Sequence, residues 1–522
     1  MGNYEDNAKD AKKRLDAISP TMCMAKWLQV SLHLPQGRTH SCYHPPTHPI
    51  PLNELKDNPN ALHNTQFKMQ ERKMMKEGER PSGCQYCWNV EDAPNQPEDG
   101  RISDRHYRSS EWWVQDAWDE VASNPWDYNV TPRYVEVNFN QACNFKCSYC
   151  SPHLSTAWEE DVIKNGAFSF SVGNGHNDIS ALQQSGLMPL AISQKDNPYV
   201  DAFWKWFPET YKQLKVFRMT GGEPLMDKNT FKVLDYVNEN PNAHLDLSIT
   251  SNMCPPDQKL FDRFIEKLKK IEEIRIWEDP EKFNPHSGNN WYVAPACKHF
   301  SLYVSVDSAG KQAEYIRDGL DFDLMYENCR TFLRETDGTE ISFINTFTLL
   351  SIPNLRGFLD MILKLREEFG YENQQDKIIQ PPDRNGFTHP SFVRKKRQRV
   401  WFDIPYLRYP DWMTIQLADD HLLNMIQENI EFMKANVLPD DLYGRKYTGF
   451  KNYEVLKLER DFAWAKEGSN MSSSEISNNL VRFYEYFTEY DKRRGFNFIE
   501  TFPEMKYFWD KAKEEKDNRY GS

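Results

Sequence analysis

Alternating apolar and polar positions predict a series of short strands in the middle of the chain. Residues 134–139 alternate valine and aromatic side chains with polar ones, as a half-buried strand does. Further runs of this character span residues 215–220, 245–251, 301–307, 341–349 and 400–404. Helical patterns separate these strands, and strands that alternate with helices are typical of a parallel barrel or a doubly wound sheet. The sequence therefore predicts an α/β fold.

Two regions have the periodicity of helices. Asn197 followed by Pro198 suits the start of a helix that runs through PYVDAFWKWFPETYKQL. From Asp411 onward, apolar residues recur near every third or fourth position, which predicts a helical C-terminal extension that covers the preceding domain. We expect the many tyrosines and phenylalanines of this extension to pack rather than to bind a cofactor.

The predicted strands end on small or polar residues. In a barrel of parallel strands the chemistry lies at the carboxyl ends of the strands, so these positions are candidates for a binding site. They are Thr220, Ser251 with Asn252, Ser305 with Asp307, and Thr348. Asn252 and Asp307 have an alternative role as caps of the helices that follow.

Composition and charge limit the class of protein. A chain of 522 residues with 39% hydrophobic and 14% aromatic side chains can form two or three domains. It has no apolar run of roughly 18 residues and begins with a charged segment, so we expect a cytoplasmic protein without a membrane partner. A formal net charge of −13 argues against nucleic-acid binding. The basic run at residues 394–399 is predicted to be a solvated loop, or alternatively a guide for an acidic peptide or a nucleotide.

The cysteines occur in ligand-like spacings. Cys143, Cys147 and Cys150 form a CxxxCxxC motif after the first predicted strand. Iron–sulfur clusters require thiolate ligands, and a four-iron cluster held by three of them keeps one iron open for a substrate or cosubstrate. A zinc site completed by His153 is the alternative.

A second group of cysteines lies near the N-terminus. Cys23 and Cys42 precede a CxxC motif formed by Cys84 and Cys87. Four thiolates would saturate a cluster, and a tetrahedral zinc site would fit the same ligands. The remaining cysteines have no ligand spacing and are predicted to be buried thiols: Cys254, Cys297 and Cys329.

The CxxxCxxC motif, with a tyrosine directly before its last cysteine, is followed about seventy residues later by Gly221-Gly222-Glu223-Pro224. This combination resembles the radical S-adenosylmethionine (radical SAM) superfamily. The resemblance implies a partial (β/α)₆ barrel, in which the open iron of a 4Fe–4S cluster chelates S-adenosylmethionine. Reductive cleavage of that cosubstrate yields a 5′-deoxyadenosyl radical.

The resemblance also assigns cosubstrate-binding residues. Tyr149 is expected beside the adenine, and Gly221, Gly222 and Glu223 are expected to meet the methionine ammonium. The segment VSVDSAGKQAEYIR resembles the family's fourth strand, which implies that Ser305 and Arg317 bind the carboxylate. Asn252 and Asp307 are further candidates. For Arg317 the alternative is an ion pair with a surface acid on its own helix.

Cys23, Cys42, Cys84 and Cys87 resemble the half-cluster signature of SPASM and twitch domains, which implies an auxiliary 4Fe–4S cluster. In that family the module usually follows the barrel, whereas here it precedes it. The predicted domains are an auxiliary-cluster module at residues 1–115, a radical SAM barrel at 130–415 and a helical extension at 416–522.

The expected activity is hydrogen abstraction from a substrate by a radical SAM oxidoreductase, with the auxiliary cluster passing an electron. Modification of a peptide or protein is the preferred reaction, and dehydrogenation of a small alcohol or sugar-like molecule is the runner-up. An electron donor such as flavodoxin or ferredoxin is implied. The alternative from another class is a non-catalytic iron–sulfur electron carrier or a zinc-stabilised scaffold. The sequence does not single out a catalytic side chain.

Overall fold

The computed structural model describes residues 2–94, 101–191, 196–273, 275–278, 291–369, 398–438 and 448–521. Its strands are β1 (Gln29–His33), β2 (Arg38–His40), β3 (His48–Pro49), β4 (Tyr134–Asn138), β5 (Lys146–Cys147), β6 (Val216–Thr220), β7 (Asn242–Ser251), β8 (Arg275–Glu278), β9 (Trp291–Ala294), β10 (Cys297–Ser305), β11 (Arg317–Asp318), β12 (Glu340–Ile344) and β13 (Val400–Asp403).

Its α-helices are α1 (Gly2–Asp16), α2 (Met24–Leu28), α3 (Leu52–Leu55), α4 (Gln66–Lys76), α5 (Gln85–Glu91), α6 (Asp104–Ser110), α7 (Trp118–Ser123), α8 (Thr156–Asn165), α9 (Ile179–Gln184), α10 (Pro198–Tyr211), α11 (Lys228–Glu239), α12 (Gln258–Glu272), α13 (Gly310–Ile316), α14 (Phe322–Glu335), α15 (Leu355–Phe369), α16 (Asp420–Ala435), α17 (Asn452–Lys466), α18 (Ser473–Arg494), α19 (Phe498–Thr501) and α20 (Lys506–Tyr520).

The fold is mixed α/β with a large, mainly parallel sheet, which confirms the predicted class. The chain forms two compact units. The first contains Met1–Gln141, Pro189–Pro224 and His244–Ser248, and the second contains Ala142–Met188, Leu225–Ala243 and Ile249–Ser522. Closure of the strands into a barrel and the three predicted domain boundaries stay predictions.

In the first unit the strand order is β6, β4, β1, β2, β3. Strands β4 and β6 are parallel, and Asn138 is paired with Thr220 where both strands end. The N-terminal segment contributes β1, which also runs parallel to β4 and pairs Gln29 with Tyr134. Sequence reasoning placed this segment in a separate module and missed its strands. Gln29–His33 does alternate polar and apolar residues, but the run is only five residues long, and its polar members Gln29 and Ser31 are buried as well.

The N-terminal part of the first unit has its own apolar core. Tryptophans supply much of its volume, and two of the predicted cluster ligands, Cys23 and Cys87, are buried within it. Cys42 and Cys84 are half-buried and pack against the same cluster. Two of the four cysteines are therefore buried in an apolar core, and the other two lie at its edge.

In the second unit, β10, β12 and β13 are consecutive parallel strands. The predicted fourth strand begins earlier than expected and ends at Ser305. The predicted fifth strand ends at Ile344, because Thr348 instead caps a 3₁₀ turn by accepting a hydrogen bond from the Leu350 N–H at 3.2 Å. The other predicted strands agree with β4, β6, β7 and β13 within a few residues.

The predicted helices are confirmed. Asn197 caps α10 by accepting from the N–H of Tyr199 at 2.9 Å. The described part of the C-terminal extension is helical, and its longest helix is α18, most of whose aromatic side chains are buried as expected. None of the helices in the described ranges is long and apolar enough to cross a membrane.

Two connections lie partly outside the described residues. The long connection before β10 contains the antiparallel pair β8 and β9, and residues 279–290 between them are outside the described ranges. Most of the basic run at 394–399 is also outside them. Its last member, Arg399, is buried and donates to the carbonyls of Thr339 and Leu333 at 2.7 and 2.8 Å, so this residue is not part of a solvated loop.

Candidate functional site

The CxxxCxxC segment of the second unit is held by its own backbone and by α8. The Cys150 N–H donates to the Cys147 carbonyl at 2.9 Å, which makes a tight turn between two of the cysteines. Thr156 in the first turn of α8 accepts from the Cys143 N–H at 3.2 Å. The buried Trp158 indole donates to the Cys147 carbonyl at 2.9 Å. These bonds fix the loop before any ligand is added.

Cys147 belongs to a short antiparallel ladder, which we call the cysteine ladder and define as β5 paired with β11. Its register places Cys147 opposite Arg317 and Lys146 opposite Asp318. The Ser148 N–H extends it by donating to the Ile316 carbonyl at 2.7 Å. Because directly opposed residues of a ladder lie side by side, this pairing brings the predicted carboxylate-binding arginine to a predicted metal ligand.

Arg317 is buried and contacts three of the predicted site residues. Its Nη1 lies 3.6 Å from the sulfur of Cys147, and its Nε lies 2.8 Å from Oδ2 of the fully buried Asp307. Its Nη2 donates to the hydroxyl of Tyr149, and that hydroxyl donates to Asp307 at 2.8 Å. Burial is the largest single influence and lowers the pKa of Arg317, but Asp307, Tyr149 and Cys147 together outweigh it and raise that pKa above its ordinary value.

These contacts decide between the alternatives left open for two residues. Arg317 pairs with a buried aspartate that is not on its own helix, so the surface-pair alternative is wrong. Asp307 accepts from the Thr346 N–H at 2.8 Å and from Arg317, whereas the N-cap position of α13 is Ala309. Asp307 is therefore a buried counter-ion and not a helix cap.

Asn252 lies beside the cysteine loop of the same unit. Its side chain donates to the amide oxygen of Asn144 at 3.0 Å and accepts from the Cys254 N–H at 2.9 Å. Asn144 in turn donates to the Cys254 carbonyl at 2.8 Å. The following helix α12 is capped by Asp257, so the capping alternative for Asn252 is also wrong. Ser305 is the last residue of β10 and pairs with Ile344.

The thiols of this motif influence each other. Burial, followed by the thiols of Cys147 and Cys143, raises the pKa of Cys150. Burial also raises the pKa of Cys147, and Arg317 opposes that rise. Both of the other thiols thus influence Cys150, and Cys147 lies beside the cation of Arg317, which favours a thiolate. Among the described residues, no three histidine, cysteine or acidic side chains are arranged closely enough to hold a metal ion as they stand. His153 contacts the hydroxyl of Ser151 at 2.9 Å.

Gly221, Gly222 and Glu223 lie in the first unit, directly after β6. Gly221 has φ +131°, and a Cβ on it would come within 2.5 Å of the Asn138 side-chain oxygen and 2.9 Å of the Asn140 carbonyl. Only glycine fits this backbone and this space. The buried Oδ1 of Asn138 has no hydrogen-bond partner within the described part of the chain. Glu223 is buried.

The four N-terminal cysteines line a single cavity of the first unit. Its wall also contains the cations Lys26, Arg105 and Arg108, together with Trp88. Burial is the main cause that raises the pKa of Cys23 to about 11 and of Cys42 to about 12, and other thiols of the group add to both shifts. The structure therefore brings together all four residues that sequence spacing grouped.

The cations at this cavity are the part of the site that sequence reasoning missed. Lys26 is buried, and its Nζ lies 2.6 Å from Glu71. Burial raises the pKa of the Cys84 thiol, and the Lys26 ammonium opposes that rise. Arg105 binds Glu91 through two bonds of 2.6 and 2.9 Å. Glu71 balances the charge of the buried Lys26, and thiolates on the four cysteines would add further anions beside it. The donor set and the cations thus fit an anionic tetrathiolate metal group.

Comparison with known proteins supports the resemblance to the radical SAM superfamily. The chain is 22% identical over 162 residues to the GTP 3′,8-cyclase of Trichodesmium erythraeum (strain IMS101), which is a radical SAM enzyme. The match covers 30% of this chain and 39% of the cyclase. No protein-family model matches the chain.

Proposed function

We propose that this protein is a radical SAM oxidoreductase that holds a 4Fe–4S cluster on Cys143, Cys147 and Cys150. When bound, the cluster and S-adenosylmethionine supply reductive cleavage and a 5′-deoxyadenosyl radical for hydrogen abstraction. The observation that carries the proposal is the placement of Arg317 against Cys147, since it sets a carboxylate-binding group beside a cluster ligand. The distant likeness to a radical SAM cyclase supports the same chemistry.

The residues of the second unit have distinct tasks in this proposal. Arg317 binds the cosubstrate carboxylate, for which its planar fork of donors is suited, and Ser305 at the end of β10 assists. Asp307 orients the guanidinium and balances its charge. Tyr149 lies by the adenine, and Asn252 holds the loop through Asn144.

In the first unit, Gly221, Gly222 and Glu223 bind the methionine ammonium. A buried amide oxygen without a partner is costly, and an ammonium would satisfy it. The orphan Oδ1 of Asn138 beside Gly221 therefore supports this assignment, as does the anion of Glu223. Asn138 was not among the residues that sequence reasoning selected.

Cys23, Cys42, Cys84 and Cys87 hold an auxiliary 4Fe–4S cluster that exchanges an electron with the substrate. The shared cavity supports one metal group on all four thiolates, and the apolar core around it limits solvent access. Zinc on the same ligands is the alternative, and a sulfide assay separates the two because only the iron cluster contains sulfide.

The substrate is proposed to be a peptide or protein, with a small alcohol or sugar-like molecule as runner-up. The name of the similar cyclase makes GTP a further candidate. The protein should be reconstituted anaerobically and incubated with S-adenosylmethionine, a reductant and each candidate in turn. Stimulated formation of 5′-deoxyadenosine, with deuterium transferred from a labelled substrate, identifies the class. Protein with a full iron content that forms no 5′-deoxyadenosine under these conditions would contradict the proposal.

A further inference from the structure

Three side chains of α18 lie at a spacing of four residues and so share one face of the helix: Tyr486, Tyr490 and Arg494. The two tyrosines are fully buried. A stripe of this kind is ordinarily part of an apolar core, but each of these side chains ends in a polar group. Those groups meet the cysteine ladder of the same unit.

The tyrosines contact the backbone of the ladder. The Tyr486 hydroxyl donates to the Ser148 carbonyl at 2.5 Å. The Tyr490 hydroxyl lies within hydrogen-bond distance of two carbonyls, that of Lys146 at 3.3 Å and that of Tyr315 at 3.0 Å. Lys146 belongs to β5, and Tyr315 lies in the last turn of α13 just before β11 begins. One hydroxyl therefore joins the two segments that form the ladder.

Arg494 contacts the ladder through a charge. Its Nε lies 3.0 Å from Oδ2 of Asp318, the residue paired with Lys146, and the ammonium of Lys146 lies 2.9 Å from the same oxygen. The guanidinium packs 3.9 Å from the ring centroid of Tyr490 and 4.8 Å from that of Trp158. Its side chain is 1% exposed, so water screens the ion pair little.

We propose that Arg494 is a positioning residue for the cosubstrate site. Its ion pair holds Asp318 in place. Because Arg317 is the preceding residue of the same strand, this contact also keeps the Arg317 guanidinium beside Cys147. This inference rests on the proposed function, because Arg317 is proposed there to bind the carboxylate of S-adenosylmethionine. A helix far along the chain, whose Tyr490 is 175 positions from Tyr315, thus controls the geometry of the motif.

The test compares the full chain with three variants after anaerobic reconstitution. Arg494→Gln removes the charge, Arg494→Lys keeps it, and Lys492→Gln is the matched control because Lys492 is exposed and pairs with Glu489 on the same helix. The readouts are the change that S-adenosylmethionine causes in the electron paramagnetic resonance spectrum of the reduced protein, the KM and kcat for its cleavage, and the melting temperature.

Arg494→Gln should raise KM about fivefold, equivalent to ~1 kcal/mol, with a smaller change in kcat. Arg494→Lys should recover most of this loss, and Lys492→Gln should match the wild type. If Asp318 transmits the effect, Asp318→Asn should raise KM similarly, and the double variant should be no worse than either single one.

A lower melting temperature with a wild-type spectrum and KM in Arg494→Gln would show a purely structural role and overturn the inference. Strictly additive effects of the Arg494 and Asp318 variants would overturn it as well. If Arg494→Gln does not fold, Asp318→Asn, which removes the other half of the ion pair, must still raise KM for the inference to hold. If the wild type does not respond to S-adenosylmethionine, both the proposed function and this inference are wrong. If the wild type responds and Arg494→Gln has the same spectrum and KM, only the inference is wrong.

Discussion

The Nη1 of Arg317 lies 3.6 Å from the sulfur of Cys147, although the two residues are 170 positions apart in the chain. The antiparallel pairing of β5 with β11 creates this contact, and Asp307 secures it from the other side of the guanidinium. The proposed metal ligand and the proposed carboxylate-binding group therefore belong to one small ladder. Hydrogen bonds and charges near cluster sulfurs also tune reduction potential, so Arg317 can influence the same chemistry in two ways.

Removal of one motif cysteine tests the assignment of the first cluster. Cys147→Ala should abolish cleavage of S-adenosylmethionine and lower the iron content by about half, since two clusters predict about eight irons per chain. The matched control is Cys329→Ala, because Cys329 is fully buried and has no ligand spacing. Iron, sulfide and 5′-deoxyadenosine are measured on the same samples. Retained cleavage in Cys147→Ala would contradict the assignment.

Removal of one N-terminal cysteine separates the two clusters. Cys84→Ala should also lose about half the iron, yet it should retain uncoupled cleavage of S-adenosylmethionine while product formation falls. Cys297→Ala, another buried cysteine, serves as its control. If Cys84→Ala loses zinc instead of iron and sulfide, the auxiliary site is a zinc site. A melting curve shows whether the first unit still folds.

Glu223 is predicted to bind the cosubstrate without holding metal. Glu223→Gln should weaken binding of S-adenosylmethionine about tenfold or more, because it replaces a buried anion that faces an ammonium. Its iron content should equal that of the wild type. Calorimetric or spectroscopic titration gives the affinity, and the exposed Glu209→Gln is the control. If Glu223→Gln binds S-adenosylmethionine with the wild-type affinity, Glu223 does not contribute to the cosubstrate site.

The carboxyl of Asp461 makes stability depend on pH. Burial raises the pKa of Asp461 to about 7, Lys457 opposes the rise, and Asp403 adds to it. The folded protein thus keeps a proton that the unfolded chain releases near pH 4, so this group's contribution to stability is full below about pH 4 and declines as the pH rises to about 7.

Asp461→Asn removes this dependence. The variant should be more stable than the wild type above about pH 7, by roughly 2–4 kcal/mol at most, and the difference should shrink as the pH falls toward about 4. Melting temperatures across this range measure it, and Glu459→Gln on the same helix is the control because the Glu459 side chain is only partly buried. An identical pH profile for Asp461→Asn and the wild type would show that Asp461 ionises normally in the folded state.

The sequence selects the proposed ligands but not the groups that support them. CxxxCxxC and CxxC are local spacings, so all seven proposed ligands can be selected from the sequence, and the four N-terminal ones do line one cavity. Asp307 could be selected as a strand-end residue, yet its role as counter-ion to Arg317 depends on the chain returning after α13 so that Arg317 lies against it. No local pattern encodes that contact.

The contacts of the supporting residues on α18 could not be predicted from the sequence either. Tyr486, Tyr490 and Arg494 show the four-residue spacing of a buried helical face, and the sequence correctly predicts that the aromatic side chains pack. Their polar ends meet carbonyls and a carboxylate more than 150 residues earlier in the chain. Similarly, β1 alternates polar and apolar residues over only five positions, and that pattern does not say which strand it joins, so its place beside β4 follows only from the pairing.

The most direct test is electron paramagnetic resonance of the anaerobically reconstituted, dithionite-reduced protein before and after addition of S-adenosylmethionine. An open iron bound near Cys143, Cys147 and Cys150 predicts a cluster signal that changes on addition, and Cys147→Ala should lose that change while keeping the signal of the auxiliary cluster. A cluster signal in the wild type that S-adenosylmethionine leaves unaltered would contradict the proposed function.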